Sequence, residues 1–317
     1  MVTNTDELSL AERVVRDACP LRRSFVERPE GATEPTPLSR LLRTQGDAGG
    51  KGGGLRVSLL LSLIWLCAKE PYTTARVAAY WAELIGRSDP RDEGARAIRD
   101  CLHELQERGV ISLVARGPRV EIGLNSETSS VGHPRPYLPP YDIEPYLPVP
   151  RTFWTRGLAG DLSGAGVAMY LVSHAMTRHD EPDFFLSGEF FEERFGISRS
   201  SKKRGLAELV KHGVLEVRSD SSIDIQTWRN IRRNIYSLHA AFMQPAPKDD
   251  PTKQPDSAGT EKVAPETPRR KRSAREQARG ETIIDPQEVA LELKHEGVPL
   301  IRSGPHVTRR RHGSDGH

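Results

Sequence analysis

The sequence predicts an α+β fold, mainly helical, in which small β-hairpins follow groups of helices. Apolar residues recur at helical spacing between Leu55 and Leu105 and again between Ser163 and Gly213. Each helical region runs into a segment of alternating apolar and polar residues, the pattern of a two-stranded hairpin. The same order of elements therefore occurs twice, which predicts two domains of one kind in tandem.

The first helical region ends in a clear amphipathic pattern. Ile98, Cys101, Leu102 and Leu105 form one stripe at i, i+3, i+4 and i+7, and Gly109 follows as a helix stop. The residues after this glycine alternate around a turn that contains glycine and proline. We therefore expect a helix that packs on one side, followed by a hairpin.

The two regions correspond at a few positions. Leu206 and Leu209 before Gly213 match the two leucines and the glycine that end the first region. Gly86 and Gly196 are the matching turn glycines. From turn glycine to stop glycine the first region spans 23 residues and the second 17, so the first carries the larger turn. This is a repeat of predicted structure with little sequence identity.

The stretch GEFFEERFGISRSSKKRGLAELVKHGVLEV at 188–217 carries a family resemblance. Its pattern predicts a short helix, a tight turn, a second helix that begins at Arg199, and a strand after Gly213. This order resembles the winged helix-turn-helix family of bacterial DNA-binding proteins. The resemblance implies that the second helix enters the major groove of DNA. Lys202 departs from the family pattern, which usually has a small or β-branched apolar residue there.

The resemblance also implies a set of DNA contacts. In or beside the major groove would lie Ser198, Arg199, Ser200, Lys203 and Arg204. On the flanking phosphates would lie Arg229, Arg232 and Arg233. Arginine can recognise guanine through two hydrogen bonds, whereas lysine mainly supplies charge.

The strand NIRRNIYSL near the end of the second region resembles the returning wing strand of plasmid replication initiators and related regulators. Its alternation predicts Arg232 and Arg233 on the exposed side, with Ile231, Ile235 and Leu238 buried. An arginine-bearing wing beside a basic helix would form one continuous footprint on DNA. The alternative is a solvated edge strand that charge protects from aggregation.

The first region offers weaker contacts. Arg96, Arg99 and His103 lie on the outward side of its last helix and are secondary candidates for DNA binding. Four acidic residues nearly cancel their charge: Asp89, Asp92, Glu93 and Asp100. The first copy is therefore expected to bind DNA less well and to pair with another protomer as a homodimer.

Composition divides the chain into five segments. These are a flexible N-terminal arm (1–54), a first winged helix domain (55–124), a proline-rich linker (125–150), a second winged helix domain (151–242) and a disordered tail of mixed charge with basic runs (243–317). The run GDAGGKGGG at the end of the arm is predicted to be a hinge. A phosphate-binding loop would need an earlier glycine, a serine or threonine after the lysine, and a preceding strand.

Composition also limits the function. A net charge of +3 in 317 residues is only mildly basic, so the placement of charge has to decide whether nucleic acid is bound. The three cysteines form no paired framework, which suits a reducing compartment. No apolar run reaches the roughly 20 residues that span a bilayer. We expect a cytoplasmic, nucleoid-associated protein with no membrane partner.

No catalytic residue, metal site or cofactor is predicted. His174 and His179 are close in sequence, but on a helix they would point about 140° apart, so they would not converge with Asp180 on one metal ion. Motifs of hydrolases, metalloproteases and His-pair nucleases do not occur in the sequence. The sequence therefore favours a binding protein over an enzyme.

The predicted function is sequence-specific binding of double-stranded DNA. Two biological roles fit it, a transcriptional regulator and an initiator or maintenance factor of plasmid replication. The alternative is a tandem winged-helix module that binds proteins and does not touch DNA. Such a module would tend to carry apolar side chains at positions 199, 203 and 204, whereas this chain has two arginines and a lysine there.

Overall fold

The fold is α+β: helices account for more residues than strands, and small antiparallel sheets complete it. The computed structural model describes residues 9–43, 52–116, 119–141, 143–177, 181–186, 188–223 and 230–243. For residues 119, 188, 189, 222, 223 and 230–232 this description covers the backbone alone.

The elements follow in this order along the chain. The N-terminal segment contributes β1 (Ala18–Arg22), α1 (Arg23–Val26) and α2 (Pro37–Leu42). Residues 53–124, the first copy, contain α3 (Gly53–Leu66), β2 (Thr73–Thr74), α4 (Ala78–Ile85), α5 (Glu93–Glu107), β3 (Ile111–Arg116) and β4 (Arg119–Leu124). Next come β5 (Tyr146–Pro150), α6 (Thr152–Thr155) and α7 (Leu158–Asp161). Residues 164–238, the second copy, contain α8 (Gly164–Met176), β6 (Asp183–Phe184), α9 (Gly188–Phe195), α10 (Arg199–Lys211), β7 (Leu215–Ile223) and β8 (Asn230–Leu238).

The two copies share both element order and sheet topology. Each runs helix, strand, helix, helix, strand, strand, and the strands lie in the orders β2-β4-β3 and β6-β8-β7. The last strand of each copy therefore lies between the other two. The helices and hairpins agree with the predicted order. The strands β2 and β6 were not predicted, because two residues are too few to show an alternating pattern.

The two copies pack against each other through their first helices, α3 and α8. Beside this contact, Trp154 of α6 stacks on Trp65 of α3 with ring centres 4.1 Å apart, and Trp154 Nε1 donates a hydrogen bond to Ser62 Oγ at 2.8 Å. A Cβ on Gly54 would lie 3.0 Å from the backbone nitrogen of Gly164, so the backbone of α3 is in close approach to the start of α8. Both copies belong to one compact unit. This differs from the predicted picture of separate small domains joined by flexible segments.

The N-terminal segment is part of the core where the structure describes it. Strand β1 pairs antiparallel with β5, from Ala18 opposite Pro150 to Arg22 opposite Tyr146. The side chains of Cys19, Leu21 and Phe25 are fully buried. The prediction of a flexible arm is therefore wrong for 9–43. The physical reason is that β5, the partner of β1, lies far along the chain, so no local sequence pattern predicts the pairing.

The predicted linker and hinge are also packed. The prolines of 125–150 do favour extended chain, but the extended segment is the strand β5, and Tyr137 before it is buried. The predicted hinge ends inside α3, where a Cβ on Gly53 would lie 2.8 Å from the carbonyl oxygen of Leu42. The first part of the hinge, 46–51, and the predicted tail beyond Met243 lie outside the described residues.

A buried ion pair ties the linker to β1. Arg22 Nη1 lies 2.6 Å from Glu127 Oε2, and the side chains are 6% and 0% exposed. The backbone N–H of Arg22 donates to the same carboxylate at 3.0 Å, and Glu144 accepts from Arg22 Nε. Burial would lower the pKa of Arg22, but the two carboxylates raise it overall. The guanidinium therefore stays charged. It joins β1 to a segment that is distant in sequence.

None of the described helices is both long enough and apolar enough to cross a bilayer.

We predict that Glu127→Gln destabilises the fold much more than Glu144→Gln. Removing one partner of a fully buried pair leaves an uncompensated charge and costs about 3 kcal/mol of unfolding free energy. The Glu144 side chain is 36% exposed, so water can replace it and the cost stays under about 1 kcal/mol. Urea denaturation of both variants measures the difference, and equal losses would show that the buried pair is not the stronger link.

Candidate nucleic-acid interface

Helix α10 begins at a turn that its own residues define. Gly196 has φ of +66°, a left-handed value that glycine adopts without strain, and it ends α9. Ser198 Oγ accepts a hydrogen bond from the backbone N–H of Ser201 at 3.3 Å, which caps the helix. The turn is also held from outside, because Thr36 Oγ1 donates to the carbonyl oxygen of Phe195 at 3.1 Å. The start of α10 is therefore fixed from both sides.

The inner face of α10 packs directly against α8. A Cβ on Gly205 would lie 2.2 Å from the carbonyl oxygen of Ala165, a distance that no real side chain tolerates. Leu206 and Leu209, predicted as packing residues, are buried. Glycine at this position thus sets how closely the two helices approach.

The only carboxylate in the sequence of α10, Glu208, turns toward α8. The backbone N–H of Ser163 donates to Glu208 Oε1 at 2.7 Å, and the Ser163 hydroxyl donates to Oε2 at 2.5 Å. Because Ser163 is the N-cap of α8, the carboxylate also lies at the positive end of that helix dipole. The carboxylate is therefore held at the start of α8 by two neutral donors.

Lys202 lies in the packing between α9 and α10. Its side chain is 6% exposed, and Nζ lies 5.0 Å from the centre of the Phe191 ring, a cation–π contact. Burial, together with the nearby Arg199, lowers the pKa of Lys202 although Glu192 opposes the shift. The lysine stem therefore takes the place of the apolar residue that the family pattern leads one to expect.

The outward face of α10 is basic and polar. Ser198, Arg199, Ser200 and Arg204 are exposed, and Lys203 is half-buried. Lys211 extends the exposed basic surface to the end of the helix. The structure thus brings the five predicted residues of the recognition helix to the surface around the first turns of α10.

Of the three DNA contacts predicted for the hairpin, the structure describes the side chain of Arg233 alone. Arg229 lies outside the described residues, and Arg232 stands opposite Ser221 in the β7–β8 pair, with its backbone alone described. Arg233 is half-buried and its guanidinium lies 5.4 Å from the centre of the Phe185 ring. The predicted alternation is wrong, because Arg233 shares a sheet face with Ile235, two residues along the strand.

On the first copy, the secondary candidates share one side of α5. Arg96, Arg99 and His103 are all exposed, as is Asp100 between them. Three more acidic residues that the sequence places near this helix differ in environment: Asp92 and Glu93 are exposed, and Asp89 is half-buried. The side of α5 that carries the candidates therefore presents both signs of charge.

Sequence reasoning missed an aromatic surface on the second copy. Phe185 and Phe190 are 50% and 58% exposed and border a groove of about 300 Å³ that reaches Phe191 and Met176. Arg194 lies 5.9 Å from the centre of the Phe190 ring. The only sequence signal was the density of phenylalanine around α9, which also fits a core.

Among the described residues, no group of three or more His, Cys, Asp or Glu side chains could hold a metal ion. His174 is half-buried and packs edge-on against Tyr170, with ring centres 4.6 Å apart, while His179 and Asp180 lie outside the described residues. All three cysteines are buried free thiols, and burial raises the pKa of Cys67 to about 11 and that of Cys101 to about 12. Such thiols are poor nucleophiles near neutral pH.

Comparison with known proteins gave no match, whether with protein-family models, with curated proteins or with solved structures. Function therefore has to be inferred from the geometry of α10 and its surroundings. The likeness of 188–217 to winged helix-turn-helix proteins depends on its own residues and on the order of the elements.

We predict that Gly205→Ala lowers stability, although alanine is the better helix former. The alanine methyl would meet the α8 backbone, which cannot move aside, so overpacking costs about 1–3 kcal/mol and exceeds the helix-propensity gain of about 1 kcal/mol. Ser200→Ala, on the exposed side of the same helix, is the control and should change stability by less than about 0.5 kcal/mol. A more stable Gly205→Ala protein, measured by urea denaturation, would contradict the close helix contact.

We also predict an acid-sensitive contribution from His174. Burial lowers its pKa to about 4, whereas the unfolded chain has a histidine pKa of about 6.5. The unfolded state therefore binds the proton first, and stability falls as the pH drops from 6.5 to 4, by about 3 kcal/mol in total. His174→Phe should flatten the profile of unfolding free energy in that window. An unchanged profile would show that His174 does not titrate differently on unfolding.

Proposed function

We propose that this chain binds double-stranded DNA with sequence specificity, through the second copy acting as a winged helix-turn-helix. The observation that carries the proposal is the division of α10 into two faces. One face is fixed on α8 by Gly205, Leu206 and Leu209, and the other presents Arg199 and Arg204 to solvent. A helix that is held rigidly and offers arginines outward suits insertion into the major groove.

The order of the elements supports this assignment for both copies. Each copy has a helix, a short strand, two helices and a hairpin, the arrangement expected of a winged helix. In the second copy the hairpin strands β7 and β8 are nine residues long, against six in β3 and β4. The longer hairpin suits a wing that reaches the phosphates beside the groove, with Arg232 and Arg229 as its proposed contacts.

Charge placement distinguishes DNA from a protein partner. The outward side of α10 offers serine hydroxyls, arginine and lysine, while its single carboxylate is bound to Ser163. Phosphate attraction gains from uncompensated cations, whereas a protein-interaction helix would present apolar side chains at its centre. This favours DNA over the alternative of a tandem protein-interaction module.

We propose a different role for the first copy, which has fewer features that suit DNA binding. Its exposed Arg96, Arg99 and His103 have Asp100 among them, so the attraction for phosphate is weaker there. We assign this copy to pairing with a second copy of the chain, with DNA contact as its lesser role. Sedimentation equilibrium of the full chain tests the pairing, and a monomer at all concentrations would refute it.

The biological role follows from where the DNA sites lie. A transcriptional regulator and an initiator or maintenance factor of plasmid replication both need sequence-specific binding, and either would act at the nucleoid or plasmid in the cytoplasm. Recovery of bound fragments from genomic and plasmid DNA separates the two roles. Fragments that cluster at promoters mean a regulator, and fragments that cluster at repeats near an origin mean an initiator.

We predict that replacing Arg199 and Arg204 together by Gln weakens DNA binding and reduces its salt dependence. Each lost phosphate contact should lower the slope of log affinity against log salt by about one unit. The affinity should fall at least about tenfold, because a charged hydrogen bond contributes on the order of 1.5 kcal/mol. Fluorescence anisotropy with a labelled random-sequence duplex at several salt concentrations gives both quantities.

The matched control removes the same charge elsewhere. Lys69 and Arg156 are exposed and belong to neither α10 nor the hairpin, so Lys69→Gln with Arg156→Gln lowers the net charge equally. Affinity and slope should stay close to those of the unchanged protein. If both double variants lose equal affinity, binding is due to bulk charge and α10 is not the recognition helix.

A further inference from the structure

Three arginines converge on a pocket that the proposed DNA contacts do not use. The pocket has a volume of about 230 Å³ and lies between α2, the end of α5 and 127–131. Arg40 and Arg43 come from α2 and the residue after it, and Arg108 follows α5. The pocket therefore joins the N-terminal segment to the first copy.

Backbone carbonyl oxygens, not carboxylates, hold the guanidinium groups of two of these arginines, Arg40 and Arg108. Arg108 donates to the carbonyl oxygens of Arg40 at 2.7 Å and Arg43 at 2.8 Å, and Arg40 donates to that of Ser129 at 3.3 Å. In the part of the chain that the structure describes, no carboxylate lies within 4.0 Å of the three guanidinium groups. Positive charge is thus concentrated here and not neutralised by the fold.

The neighbouring charged groups do not neutralise the pocket. Glu127 contributes to its lining, but that carboxylate is 0% exposed and paired with Arg22. Arg56, buried nearby, pairs with Glu104 at 2.5 Å. Burial is the main cause that lowers the pKa of Arg108, and crowding by the nearby Arg56 adds to it, although Glu104 and Glu107 oppose the shift. An anion in the pocket would relieve this crowding.

The rest of the pocket wall is largely apolar. Leu41 and Val110 are buried against it, Val131 is 65% exposed at its edge, and Pro37 completes the wall. Guanidinium groups bind carboxylate and phosphate oxygens through paired hydrogen bonds, whereas the aliphatic wall favours a hydrocarbon body. Pockets for drug-sized ligands measure about 300 Å³ or more, so this one admits only a small molecule.

We propose that this pocket binds a small amphiphilic anion, with a carboxylate or phosphate head on Arg40, Arg43 and Arg108 and a short apolar body against Leu41 and Val110. The oxyanion could also come from a DNA backbone, which has no apolar body to bury. The two sources are therefore separable by experiment. The site does not depend on DNA binding by α10.

Isothermal titration of the full chain with phenyl phosphate and with benzoate, in the absence of DNA, tests the site. We expect one saturable site per chain with a Kd of about 1 mM or tighter for at least one of them. Inorganic phosphate, which lacks the ring, should bind about tenfold more weakly, and phenol, which lacks the charge, should not bind. Equal affinity for inorganic and phenyl phosphate, or no saturable binding of either ring compound, would overturn the proposal.

Two variants locate the binding. Arg43 is exposed, so Arg43→Gln should fold normally and lose about tenfold in affinity for the ring anion. Val131→Asp places a like charge at the pocket edge and should abolish binding. Val77→Asp is the matched control, because Val77 is 66% exposed and lies outside the pocket lining. If Val131→Asp and Val77→Asp lose equal affinity for the ring anion, the binding site is not this pocket and the proposal is overturned.

A competition experiment separates the two sources of oxyanion. An excess of random-sequence duplex is added before titration with the ring anion that binds. An unchanged affinity supports a small-molecule site. The opposite result is that the duplex abolishes binding of the ring anion, and does so equally in the unchanged protein and in the Arg199→Gln, Arg204→Gln protein. The pocket would then bind DNA phosphates, which overturns the proposal. The outcome for α10 itself is measured separately by its salt dependence.

Discussion

The contact between α3 and α8 is the constraint on which the rest of the structure depends. Gly54 brings the α3 backbone close to Gly164, the first residue of α8. Trp154, in α6 just before the second copy, both stacks on Trp65 and donates to Ser62, which fixes α3 against the same region. Stacked aromatic pairs add packing energy beyond the area that they bury. Further elements build on these two helices, since α10 packs on α8 and β1 contacts α3.

Helix α10 combines a packed face, which contributes to stability, with an exposed basic face, which we propose for binding. The side chains that hold it are small or apolar, and its single acid is used to cap α8. The exposed positions beyond the capping residue Ser198 are not part of this packing and carry arginine and serine. Lys202 belongs to the packed face, because its stem fills the packing and its charge lies against the Phe191 ring.

Local periodicity was enough to predict the helices and hairpins of both copies. The stripe that includes Leu102 and Leu105, and its counterpart at Leu206 and Leu209, is a property of adjacent residues, so it can be recognised without tertiary information. The β1–β5 pair could not be predicted, because its partners are distant and one of them is rich in proline. The face of Arg233 depends on the register of β7 and β8. The arginine pocket was missed for the same reason as β1, since Arg40 was assigned to an arm.

The pairing of β1 with β5 also has consequences for synthesis. On the ribosome, Cys19 and Leu21 emerge long before Pro150, so this strand has no partner while the first copy is being made. Contacts between residues so far apart in sequence close late and slow folding. The helices of the first copy can form earlier, but the apolar N-terminus stays available to chaperones and proteases until β5 appears. A chain cut between the copies would keep that exposure permanently, so the repeat boundary is a poor place to divide this protein.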